Sequence, residues 1–114
     1  LPGGFTKAYA LLEVQPPDVR VRALEQTTAK FPSFAPAWKD YALLLDDTDA
    51  RLAALDRGLA ADPDDETLGM LTINKAFILR NRGDTEEAKR IVAELLRDPR
   101  CTQGTEAVAK GFGL

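Results

Sequence analysis

The sequence contains no histidine and a single cysteine, Cys101. Without imidazole the usual Ser–His and Cys–His catalytic arrangements are excluded, and so are zinc sites of the ordinary Cys/His kind. One cysteine also excludes an intramolecular disulfide. Cys101 reads as a small apolar residue packed near a helix start, because Arg100 beside it is thin support for a reactive thiolate. No apolar run approaches the ~18–20 residues required to cross a bilayer, so no membrane association is expected. Phosphate-cradling glycine motifs are missing too: Gly3–Gly4 and "GFGL" are terminal and Gly104 is isolated. Lys and Arg form no stripe, and the net charge of −3 is mixed in sign, which argues against nucleic acid as a partner.

What is present is a 114-residue chain, 45% apolar and 29% charged, the composition of one globular domain over 1–114. Its ends, "LPGG" without methionine and "GFGL", lead to the expectation of a piece of a longer protein. Neither end has the pattern of a signal peptide. The compartment stays open, with the cytoplasm favoured.

The stretch "FILRNRGDTEEAKRIVAELLRDP" shows how the chain is organised. Ala88, Ile91, Val92, Leu95 and Leu96 recur at helical spacing, and Arg97 and Pro99 close the run. Asp84 is expected to cap this helix, with Glu87 bonding back to it. Upstream, Ile73, Ala76 and Phe77 follow the same period, and Gly83 stands at the turn. This is a helical hairpin, and it has copies. Ala8, Ala42, Ala76 and Ala109 are 34, 34 and 33 residues apart, and a large residue (Leu11, Leu45, Leu79, Phe112) follows each by three. A small side chain once per hairpin lets neighbouring backbones approach, and a stack of hairpins buries what one cannot. Helices are expected near 4–14, 17–30, 35–46, 48–61, 66–82, 84–97 and 102–112. Extra residues at "DDETL" should lengthen the first helix of the third hairpin.

The acidic clusters "DDTD" and "DPDDE" fall at helix starts, where carboxylates satisfy orphan N–H groups. The second lacks the glycine and terminal carboxylate of a calcium loop, so no metal is expected. No carboxylate pair carries a catalytic signature. An enzyme is not expected, nor is a cofactor.

With this register the chain resembles the tetratricopeptide repeat family, through Trp38, Tyr41, Ala42, Leu45, Leu55 and Leu59 in one copy and Ala76, Leu79, Gly83–Asp84, Ala88, Val92 and Leu95 in the next. Arg20, Arg51, Gly58 and Thr72 depart from the family pattern. The resemblance implies an all-α fold, a right-handed superhelix of antiparallel hairpins (an α-solenoid). Its repeats would run over about 5–33, 35–64 and 66–99, with a capping helix over about 102–112. It also implies a concave groove, lined by the first helix of each repeat, that binds a peptide or partner protein. Projected onto this sequence the groove holds Phe5, Tyr9, Lys39, Asp40, Leu43, Ile73, Asn74, Phe77, Arg80 and Asn81. Leu43, Ile73 and Phe77 would form an apolar floor, while the amide and cationic side chains would hold a peptide backbone and its acidic groups. The alternatives are a regulatory or assembly domain of a larger enzyme or complex, and a plain helical bundle. Self-association through the stack ends is left open.

Overall fold

A computed structural model describes residues 11–112. After a 3-10 turn, Leu11–Val14, these residues form six α-helices and no strand. The expected first helix at 4–14 otherwise lies outside the described residues, as does Ala8.

Proline and acidic residues set most of the helix starts. Helix α1 (Pro17–Lys30) and α2 (Ala35–Leu44) each carry a proline in the first turn, where its missing N–H costs nothing. Helix α3 (Thr48–Ala60) is capped by Asp47, whose carboxylate accepts from the Ala50 N–H at 2.8 Å. Helix α4 (Asp65–Asn81) is capped likewise by Asp64, which accepts from the Thr67 N–H at 3.2 Å. The acidic clusters thus begin helices, as their positions suggested. At 17 residues α4 is much longer than α2 at 10, in keeping with the extra residues at its start. Helix α2 ends sooner than expected because Leu45 turns extended, and the Arg51 Nε–H donates to the Leu45 carbonyl there.

Helix α5 (Thr85–Arg97) starts differently. Gly83 takes φ 98°, and the Asp84 N–H returns to the Leu79 carbonyl at 2.8 Å while the Gly83 N–H returns to Arg80 at 3.1 Å. That pair of bonds is a Schellman closure of α4. Asp84 therefore serves the end of one helix with its N–H and the start of the next with its carbonyl, which accepts from the Ala88 N–H at 3.0 Å. Its ψ of 54° differs from the extended values at Asp47 and Asp64. The expected capping box is not formed: Asp84 accepts from Arg82, and Glu87 accepts from Arg90. Helix α6 (Gln103–Lys110), the expected 102–112 segment, is capped by Thr102, which accepts from the Thr105 N–H at 3.1 Å.

Each helix packs on the next, and in addition α2 meets α4 and α4 meets α6. The alanines that mark the repeat sit in these contacts, with Ala42 1% exposed and Ala76 and Ala109 fully buried. One core group joins Trp38, Ala42, Leu55 and Leu71; a second joins Ile73, Ala76, Leu79, Ala88, Val92, Leu95, Ala109 and Phe112. Gly58, a departure from the family pattern, is a contact point. A Cβ there would lie 2.9 Å from Leu71 Cδ2 and 3.0 Å from Trp38 Cβ. No helix among the described residues is long and apolar enough to cross a membrane.

Candidate functional site

Four of the large apolar side chains left exposed lie on α2, α4 and α6: Leu43, Met70, Phe77 and Val108. Helices α4 and α6 approach closely because Gly69 has no side chain; a Cβ on it would fall 2.2 Å from Thr105 Oγ1. Just beside that contact a cleft of about 560 Å³ opens between the two helices. Met70, Ile73 and Val108 form its apolar walls, Glu66 stands at the α4 N-terminal end, and Asn74, Thr102 and Thr105 supply hydroxyl and amide groups. Its size suits one or two side chains of a ligand with their backbone.

Met70 links the cleft to α2, since Lys39 Nζ lies 4.0 Å from its Sδ. Lys39 is also paired with Asp40 at 3.2 Å. Asn74 donates one amide N–H to the Met70 carbonyl at 2.8 Å, which orients the side chain along the helix. Ile73 is 7% exposed and contributes to the cleft floor while belonging to the core.

Phe77 and Arg80 are placed elsewhere. The Phe77 ring packs on Phe112 at 5.1 Å between centroids, and the Arg80 guanidinium lies over both rings, at 5.0 Å and 4.4 Å. Arg80 Nη1 also donates to the Phe112 carbonyl at 3.0 Å. This cluster fastens the residues after α6 to the C-terminal end of α4. Asn81 is exposed at the last position of α4, Leu43 is exposed on α2, and neither lines the cleft. Tyr9 and Phe5 lie outside the described residues.

Of the expected set only Ile73 and Asn74 line the cleft, with Lys39 reaching its edge at Met70 and Asp40 paired to Lys39; Met70, Glu66, Thr105 and Val108 line it in addition. Met70 was within reach of the helical period, one turn before Ile73 and Asn74 on the same stripe. Val108 carried no such signal, because "QGTEAVAK" is too short and mixed to define a face. Cys101 is half-buried against the second core group, and burial, then Glu106 and Asp98, raise its thiol pKa, the opposite of an activated nucleophile.

Comparison with known proteins gives no family model, no curated protein and no solved structure that matches the chain.

Proposed function

We propose that the chain is a non-catalytic protein–protein interaction module of the tetratricopeptide kind, binding a peptide or partner protein on the face formed by α2, α4 and α6. In this reading the hairpins stack as a right-handed superhelix and these helices line its inner side. The observation that carries the proposal is the cleft between α4 and α6, where Met70 and Val108 stay exposed beside a close backbone contact. The alternating contacts, α2 on α4 and α4 on α6, support it, because they are those of first helices in successive hairpins. Apolar walls anchor a ligand side chain, and the remaining amide N–H and carbonyl of Asn74 are suited to a peptide backbone.

Selection of displayed random peptides on the immobilised chain tests the proposal, with Met70→Gln/Val108→Gln as the counter-target. Both side chains are exposed, so the double variant should fold as the parent does by circular dichroism. Peptides enriched on the parent are expected to lose binding to the variant. Equal enrichment on both proteins would overturn the reading.

A further inference from the structure

Cations and acids are unequally engaged along this face. Lys39 has Asp40 as its counter-charge, and Arg80 lies over the rings of Phe77 and Phe112 with an N–H on a carbonyl. Each positive group that the sequence offers for an acidic ligand already has a partner inside the molecule. At the α4 N-terminal end the balance is reversed. Glu66 lines the cleft, is exposed, and has no ion-pair partner among the described residues. Asp62 and Asp65 are exposed in the same short segment, and Asp64 turns its carboxylate to the Thr67 N–H. Arg100, which feels the charges of Asp65 and Asp62, is itself held by Asp98 at 2.9 and 3.1 Å. Among the described residues the one charged side chain lining the cleft is therefore the unpaired acid Glu66, the walls are apolar, and the nearby Arg100 is paired.

We infer that the α4–α6 cleft selects a basic peptide segment, with an apolar side chain seated against Met70, Ile73 and Val108 and an adjoining Lys or Arg facing Glu66. This selectivity rests on the peptide-binding role proposed above. It is opposite in sign to the acidic preference that Lys39 and Arg80 suggest in the sequence. An acidic residue in the same place would meet like charge, while an aliphatic cation can lay its stem on the apolar wall and keep its charged end at Glu66.

Fluorescence anisotropy with three pools of labelled synthetic peptides tests the inference. All pools contain one fixed Leu, carry Arg, Gln or Glu at a neighbouring fixed position, and are randomised elsewhere. The Arg pool is expected to bind about ten-fold more tightly than the Glu pool. That gap should shrink as salt is raised. Glu66→Gln is expected to narrow it to about three-fold, whereas Asp49→Asn, on α3 beside Arg82, should leave it unchanged. Equal binding of the Arg and Glu pools, still lost in Met70→Gln/Val108→Gln, would overturn the charge selectivity and leave the peptide-binding role standing. Binding by no pool, or binding indifferent to that double variant, would overturn both.

Discussion

An alanine at Gly69 would carry its Cβ to 2.2 Å from Thr105 Oγ1, 2.6 Å from its Cγ2 and 2.9 Å from its Cβ. Threonine is branched at Cβ and stiff, so no rotation clears all three atoms and α6 must move. Such overpacking costs about 1–3 kcal/mol, against a gain of about 1 kcal/mol from replacing glycine in a helix. Gly69→Ala is therefore expected to lower the urea midpoint, and an unchanged or raised midpoint would contradict the close α4–α6 contact. Gly58→Ala should cost less, because the atoms it meets, two methyls of Leu71 and Trp38 Cβ, stand 2.9–3.1 Å away and need give by only a few tenths of an ångström. These two glycines also mark where the sequence stops being readable at this scale. Ala42, Ala76 and Ala109 were legible as contacts because a fixed interval repeats them. Gly58 looked like an exception to the pattern, and Gly69 had no pattern, since its partner Thr105 belongs to the next hairpin. A close approach between one backbone position and a side chain far along the sequence is a property of the folded chain and leaves no mark in either local segment.

At the scale of the helix, the acidic starts divide into two kinds that look alike in the sequence. Asp47 and Asp64 accept from the helix they open, while Asp84 accepts from Arg82. Replacing an N-cap carboxylate by alanine typically costs about 1 kcal/mol. Asp64→Ala is expected to lose that amount in denaturant unfolding, and Asp84→Ala clearly less. Asp84 differs for a physical reason: its ψ of 54° departs from the extended backbone of Asp47 and Asp64, and its carboxylate accepts from Arg82 instead of from an N–H of the helix it opens. The caps also bear on acid stability. Hydrogen bonding from the Thr67 side chain, then from its backbone N–H, holds the Asp64 carboxyl below its ordinary 3.8. A group whose pKa is depressed on folding contributes stability that is complete above its unfolded pKa and disappears as pH falls through the folded one. Asp64→Asn keeps a capping oxygen but cannot titrate. It should hold most of the parent's stability at neutral pH while showing a shallower loss below about pH 4. A parent-like acid limb in that variant would remove Asp64 from the account.

For the whole molecule the question is whether the hairpins stand as one cooperative unit or as neighbours in a row. Their organisation was legible in outline, because an apolar stripe every helix and an alanine every hairpin both have short-range causes. The cleft was not, since it depends on how α6 seats on α4, and that seating is fixed by Gly69, Thr105 and the Arg80 cluster together. Phe112 is the outer element of that cluster: 6% exposed, packed on Phe77, and covered by Arg80. Phe112→Ala should destabilise its surroundings by about 3 kcal/mol, within the range for truncating a buried phenylalanine. Helix α6 touches α4 and α5, whereas α1 touches α2 and the preceding turn. In a row held by nearest-neighbour contacts, a loss at one end is expected to stay there. Amide hydrogen exchange followed helix by helix measures this directly. Phe112→Ala should speed exchange in α6 and at the C-terminal end of α4, with α1 and α2 keeping the protection they have in the parent. If protection instead falls equally from α1 to α6, the described residues unfold as a single block, and the alternating contacts of α2, α4 and α6 are the seams of a bundle rather than the joints of a stack.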